Sequence, residues 1–425
     1  MGMIAPGKPD QKMKIHREHQ VNHSEQQTEK SLIYVDYAAA TPVRKEVLDA
    51  MLPYFTEYYG NPGSSHQAGM QAGEAVQAAR ETIRGIIGAA SPEEIIFTGS
   101  ATESVNLAIK GIARAYKKKG MHIITSKIEH EAVLSTCKYL EQEEGFLVTY
   151  LEVDEYGRVH PEAFKKALRK DTILATIMYA NNEIGTIQPI QELARLAKAH
   201  GVLFHTDACQ AGGALDIDVA HLGVDLLTLN AAKIYGPKGI GLLYVRQGIS
   251  LHPIIHGGGQ EFGLRSGTLN VPGIVGFAKA LELAQKERQQ ENQRLTTLRQ
   301  NFITAITTNI SGVTLNGHPV HRLPNNINLT FVGVEGQALL SHLDHAGIAV
   351  SSGSACSSAS KEPSHVLVAM GIPTDQHHGV IRLTLGKSTT AEDLANVVDV
   401  LAEIVTSLRK IAPMEVMVDQ ELERG

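Results

Sequence analysis

From Val43 onward the chain alternates short β-branched runs with longer stretches whose apolar residues recur every three or four positions, and nothing else in it restricts the fold as strongly. A run of period two suits one face of a pleated sheet, whereas a period of 3.6 suits a helix laid over that sheet. Repeated alternation therefore predicts crossover units. The predicted strands are 95–97, 122–125, 148–151, 173–178, 202–205, 226–229 and 239–245, and helical spacing falls before and between them, as in 67–87, 103–118 and 190–200. The expected fold class is α/β, a doubly wound and mostly parallel sheet.

After Pro272 the pattern changes. A long charged helix is predicted over roughly 273–310, followed by sparser strands at 327–331, 348–350 and 380–385 and helices near 335–345 and 391–408. That arrangement suits a smaller α+β domain, and a chain of 425 residues exceeds what one core usually serves.

Composition removes several classes of function. Hydrophobic residues at 43% and charged residues at 20% are the balance of a soluble globular protein. A formal net charge of -6 with no basic stripe excludes nucleic acid as the main partner. The three cysteines, Cys137, Cys209 and Cys356, form no C-x-x-C pair, so neither a disulfide framework nor a resident metal site is expected, and a reducing compartment fits. Residues 1–30 are polar, lack an apolar run of signal-peptide length and read as a disordered extension whose His16, His19 and His23 are solvated. No apolar run approaches the roughly 18 residues of a membrane span, and the expected location is the cytoplasm.

Residues 351–360 read Ser-Ser-Gly-Ser-Ala-Cys-Ser-Ser-Ala-Ser, which leaves Cys356 among side chains too small and polar to bury it. Taken alone, the segment is either a loop that moves a reactive thiol or a Ser-rich linker with an incidental cysteine. Cys137, in an apolar-spaced helix, and Cys209, after a strand, read as structural.

In an open parallel sheet, ligands bind outside the carboxyl ends of the strands. The residues there are rich in polar function: Thr98-Gly99-Ser100-Ala101-Thr102-Glu103, Glu129-His130, Asn181-Asn182-Glu183, Asp207-Ala208-Cys209-Gln210 and Lys233-Ile234-Tyr235-Gly236-Pro237-Lys238-Gly239. The first of these opens a helix and serves either as a phosphate cradle or as a plain helix cap. His256-Gly257-Gly258-Gly259 is either an anion nest or a turn leading to Arg265.

This ordered set, together with Asp36-Tyr37-Ala38-Ala39-Ala40-Thr41-Pro42, Gly60-Asn61-Pro62, Arg265-Ser266-Gly267-Thr268 and the Cys356 segment, resembles the cysteine desulfurases of the NifS/IscS type. These are class V aminotransferase-like enzymes of fold type I that use pyridoxal 5'-phosphate. The resemblance runs from Tyr34 to about Leu408, and the segment around Cys356 resembles that of the long-loop group. We place a large cofactor-binding domain at 43–285, a small domain at 31–42 plus 286–412 carrying the cysteine loop at 351–362, and a tail at 413–425.

The resemblance implies roles. Lys233 would carry the cofactor covalently through its amine, and Asp207 would sit against the pyridine nitrogen. Gln210 would donate to the ring's phenolate oxygen, while His130 would stack on the ring and move protons. Ala101, Thr102 and Asn230 would lie at the phosphate, joined by Thr268 from the other subunit, which implies a homodimer. Arg382 would hold the substrate carboxylate with Asn182, which would also contact the cofactor, beside it. Cys356 would take sulfur from L-cysteine as a persulfide, leaving L-alanine, and could hold an iron–sulfur cluster transiently. The sulfur would pass to an acceptor protein, an iron–sulfur scaffold or another.

The chain departs from the family where Ser-Gly-His usually precedes the lysine, since Asn230-Ala231-Ala232 stand there. Gln260 and Phe262 occupy positions where the family often has His and Arg. The function expected is that of a cysteine desulfurase. The alternatives are a selenocysteine lyase or a class V aminotransferase-like enzyme of altered specificity, and a scaffold that has lost its cofactor is a third.

Overall fold

The computed structural model describes Gly2, residues 32–352 and residues 363–411. The rest of the extension at 1–30, positions 353–362 with Cys356, and the tail at 413–425 lie outside the described residues. All elements below belong to the unit Leu32–Gly425.

The strands are β1 (Ile33–Tyr34), β2 (Ile95–Thr98), β3 (His122–Ser126), β4 (Leu147–Leu151), β5 (Thr172–Thr176), β6 (Leu203–Asp207), β7 (Leu226–Asn230), β8 (Gly241–Val245), β9 (Val313–Leu315), β10 (Asn326–Phe331), β11 (Ile348–Ala349) and β12 (Val380–Thr384). Among the described residues, seven of them form one sheet in the order β2-β8-β7-β6-β5-β3-β4. Strands β4, β3, β5, β6 and β7 run parallel, and β8 is antiparallel to both of its neighbours. From β3 the chain moves outward to β4 and then returns to β5 on the opposite side of β3. A crevice opens where such a sheet reverses direction, here between β3 and β5.

Alternation along the strands divides the buried residues between two faces. Ile95, Phe97, Ile124, Leu242 and Tyr244 enter one core, whereas Ile96, Ile123, Leu243 and Val245 enter another. Helix Gln67–Ile87, capped by His66 and ended by Gly88 at φ 68°, lines the first face with Val76, Ile83 and Ile87. Both faces are covered, as a parallel sheet requires.

The seven strand predictions over 95–245 all correspond to observed strands, with ends shifted by one or two residues. Helix Ala101–Tyr116 begins two residues before its predicted start, because Ser100 accepts the Glu103 amide and ends the preceding turn. Strands β1 and β9, two and three residues long, were not predicted; they are too short to show a period.

Helix Val271–Asn309 is continuous over 39 residues. Its Ile274, Phe277 and Leu281 belong to a core of the large sheet, while Leu295, Phe302 and Ile306 join a third cluster with β10, β12 and helix Ala391–Ile411. Strands β12, β10 and β9 form an antiparallel sheet, and β1 pairs in parallel with β11. Ser351, assigned from sequence to the surface loop, is instead buried and paired with Arg382 through both backbone bonds, at 3.1 and 2.7 Å.

Candidate active site

Strand β6 ends at Asp207, whose Oδ1 accepts the Cys209 amide at 3.0 Å and turns the chain sharply. Gln210 follows and donates to the Ala38 carbonyl at 3.1 Å. Strand β7 ends at Asn230, whose Oδ1 accepts the Ala232 amide at 3.0 Å and opens the single 3-10 turn bearing Lys233. Lys233 Nζ donates to the carbonyls of Ala38 at 2.7 Å and Ala39 at 2.6 Å. Tyr235, at φ 64°, holds a left-handed backbone that a non-glycine residue adopts only when its surroundings compel it. Thr41 supplies part of that compulsion, since its Oγ1 donates to Ala232 O at 2.9 Å and accepts the Tyr235 amide at 2.8 Å.

At the end of β3, Glu129 is buried. Its oxygens accept the Met178 amide and the Ser126 hydroxyl, the latter at 2.6 Å. Burial nevertheless raises its carboxyl to about 8, with the Asp207 charge pushing the same way and His130 opposing it. The ends of β3 and β6 thus share one electrostatic environment. His130 caps helix Glu131–Glu144 by accepting the Ala132 amide on Nδ1 at 3.0 Å, so the neutral ring carries its proton on Nε2.

Beyond β5, Asn181 is wholly structural: it donates to Ile128 O and accepts the amides of Glu183 and Ile184. That turn presents the carbonyl of Asn182 to Arg382 Nη1 at 3.0 Å, while Arg382 Nη2 reaches Asp36 Oδ1 at 2.8 Å. The Glu183 carboxyl is raised by burial even though Ser364 donates to it at 2.6 Å. Asn326 and Asn328 hold its carbonyl.

Ala101 and Thr102 open helix Ala101–Tyr116 beyond β2. Beside them Glu103 accepts the Gly99 amide at 2.8 Å and pairs with Arg265 at 2.8 Å. Behind Asp207, the fully buried His205 lies between Thr176 and Thr228, at 2.8 and 3.0 Å, and burial lowers its pKa to about 4.

The structure therefore brings Lys233 and Gln210 to one carbonyl, and Arg382 to Asn182. Thr268 is exposed, and Cys356 lies outside the described residues. Sequence reasoning missed Asp36 as the partner of Arg382, the carbonyls of Ala38 and Ala39, and the Glu183–Ser364 contact. Asp36 stood within a quoted motif, but nothing local showed which cation it would meet.

A model of the aminotransferase class-V family matches residues 33–397. A cysteine desulfurase IscS from Dictyoglomus turgidum is 56% identical over 381 residues, covering 90% of this chain and 96% of that protein. One from Methanosarcina thermophila is 52% identical over 387 residues, covering 91% and 95%. Among solved structures, a NifS-like protein superposes with a TM-score of 0.84 at 39% identity, covering 89% of this chain and 100% of that one. SspA in complex with cysteine gives 0.73 at 40% identity, covering 83% and 98%. The chain belongs to the aminotransferase class-V family, with close relatives named cysteine desulfurase.

Proposed function

We propose that this protein is a cysteine desulfurase dependent on pyridoxal phosphate, converting L-cysteine to L-alanine with sulfur transferred to Cys356. The observation that carries this reading is the convergence of Lys233, Asp207 and Gln210 at the ends of β6 and β7 with Arg382 and Asn182 nearby, in a chain whose relatives carry that name.

The donor set fits the cofactor. A carboxylate at Asp207, an amine at Lys233 and a helix N-terminus at Ala101 and Thr102 match a basic ring nitrogen, an aldehyde and a phosphate. Asn230 spends its oxygen on the Ala232 amide, which leaves Nδ2 as the donor for phosphate. When bound, pyridoxal phosphate supplies an electron-accepting ring for the substrate's α-carbon. Asp207 would hold the ring nitrogen in its protonated form, and His130 would exchange its proton at Nε2. Arg382 and Asn182 orient the substrate by its carboxylate. The Cys356 thiolate attacks the substrate sulfur; the carbon–sulfur bond breaks, a sulfur–sulfur bond forms on the enzyme, and the β-carbon gains a proton to become alanine.

We take 43–285 as the large domain, and 31–42 with 286–412 as the small one, a division supported by the pairing of β1 with β11. The enzyme acts as a homodimer whose Thr268 reaches the partner's phosphate. Leu48, Leu52, Phe55 and Tyr59 support this, because they are large apolar side chains left exposed along the short helices Lys45–Met51 and Pro53–Thr56 and the chain just beyond them, with Tyr59 75% exposed. No described helix is long and apolar enough to cross a membrane. A cytoplasmic enzyme passing sulfur to an iron–sulfur scaffold or another acceptor protein is the role we assign.

The deciding experiment adds L-cysteine to the purified protein and follows alanine, sulfide and the visible absorbance of bound cofactor in the parent and in Cys356→Ala. Products lost in the variant with absorbance intact support the reading. No alanine from the parent overturns it.

A further inference from the structure

Arg382 is closed on every side. Its side chain is only 3% exposed, Nη1 and Nη2 are engaged by Asn182 O and Asp36 Oδ1, and Nε is buried without a partner. A guanidinium receives a carboxylate along an edge made of two N–H groups, and here no edge is open to a molecule from outside. Asp36 is the more exposed member of the pair, at 19%.

The backbone of Asp36 cannot leave. Thr384 accepts the Tyr37 amide on its carbonyl at 3.3 Å and the Ala38 amide on its hydroxyl at 2.8 Å, and its own amide donates to Val35 O at 2.7 Å. The side chain can still rotate away. A buried guanidinium stripped of the carboxylate it is paired with is strongly destabilised, the nearby Glu183 carboxyl being itself disfavoured as an anion by burial, so Arg382 must exchange one carboxylate for another rather than stand empty.

We propose that Asp36 occupies the substrate-carboxylate position on Arg382 in the resting enzyme and yields it to the α-carboxylate of an arriving amino acid. This rests on the assignment of Arg382 to the substrate carboxylate made above. Two carboxylates crowded on one guanidinium repel, so occupancy is exclusive. Asp36 is then a positioning residue: it keeps Arg382 aligned while the site waits, and it lowers apparent affinity by the fraction of molecules in which it holds the position. A ligand lacking a carboxylate gains nothing from displacing it. The same short segment supplies the carbonyls of Ala38 and Ala39 to Lys233 and Gln210, so substrate arriving at Arg382 acts within three residues of the acceptors that hold the lysine.

The test uses holoenzyme carrying Asp36→Asn, Asp36→Ala or Asp36→Glu. Each is titrated with L-alanine, which has the carboxylate but no sulfur to give up, and with cysteamine, which lacks the carboxylate, while the absorbance of bound cofactor is followed. KM and kcat for L-cysteine are measured in parallel. L-Alanine should bind roughly tenfold more tightly to the Asn and Ala variants, with KM falling alike, whereas cysteamine affinity stays put and Asp36→Glu retains the competition. Unchanged or weaker L-alanine binding in both neutral variants overturns the proposal, as does equal tightening for cysteamine. Arg382→Ala separates the two assumptions. If it leaves L-alanine affinity unchanged, the assignment of Arg382 fails and the role of Asp36 fails with it; if it weakens L-alanine while Asp36→Asn does not tighten it, only the role of Asp36 fails.

Discussion

Ser364 donates its hydroxyl to the buried Glu183 at 2.6 Å, tying the start of helix His365–Ala369 to the turn that presents Asn182. Its neighbour His365 meets the Glu129 carbonyl at 2.9 Å, one residue before His130. The described chain immediately after the Cys356 segment is thereby attached to the residues flanking two members of the site.

Ser364→Ala should destabilise the protein by about 2 kcal/mol, since a buried carboxylate loses a donor. Burial raises the Glu183 carboxyl, so the folded state holds a proton that the unfolded state has released, and stability falls as pH rises toward the folded value. Without the hydroxyl that value rises further. Denaturant midpoints for parent and variant should diverge more at pH 8 than at pH 5, and an equal gap at both would show that Glu183 does not titrate in this range.

His205 should make the protein acid-sensitive. Its pKa is lowered from 6.5 to about 4, so the unfolded state binds the proton first and stability is lost as pH falls between those values. The shift corresponds to about 3 kcal/mol. Glu129, raised from 4.5 to about 8, has the opposite slope over much of this window and should partly mask the effect in the parent. Comparing thermal midpoints of the parent and His205→Gln across that range isolates it: the variant should be less stable at pH 7 but lose less on acidification.

Arg80 and Glu261 form a buried ion pair at 2.6 Å, with the guanidinium also over the rings of Phe97 and Phe262 at 4.8 and 5.1 Å. Glu261 further accepts the Phe97 amide at 2.7 Å. The pair fastens a turn in which Glu261 and Phe262 both have positive φ, at 48° and 57°. Arg80→Met should cost about 3 to 5 kcal/mol by leaving Glu261 unpaired, and adding Glu261→Gln should recover part of it. Urea unfolding of the single and double variants measures the coupling; strict additivity would argue against it.

Ala232→His places an imidazole beside Lys233, the residue proposed to carry the cofactor. Loss of cofactor on dilution should slow by about tenfold or more, the worth of one hydrogen bond to a charged group. Absorbance after gel filtration reports it, and unchanged or faster loss would mean that Asn230 and the Ala101 helix already saturate the phosphate.

The exposed side chains of Leu52 and Phe55 should be covered in the proposed dimer. Leu52→Glu with Phe55→Glu should shift the protein to monomers in sedimentation or light scattering, and a dimer that survives both charges would place the interface elsewhere.

The amino-acid sequence by itself determined the strands of the seven-stranded sheet, the long helices and the identity of the strand-end residues, but not the short strands β1 and β9. Period is a local property, readable without knowledge of any neighbour. Resemblance extended this to roles for Lys233 and Arg382. Only the tertiary structure decided which charges meet, for Asp36 and Arg382 are 346 positions apart and nothing near either residue names the other. The reason is physical. A sequence pattern encodes which side of an element is buried, whereas the counter-ion of a buried charge depends on sheet order and on which backbone ends the packing of two cores brings within about 3 Å.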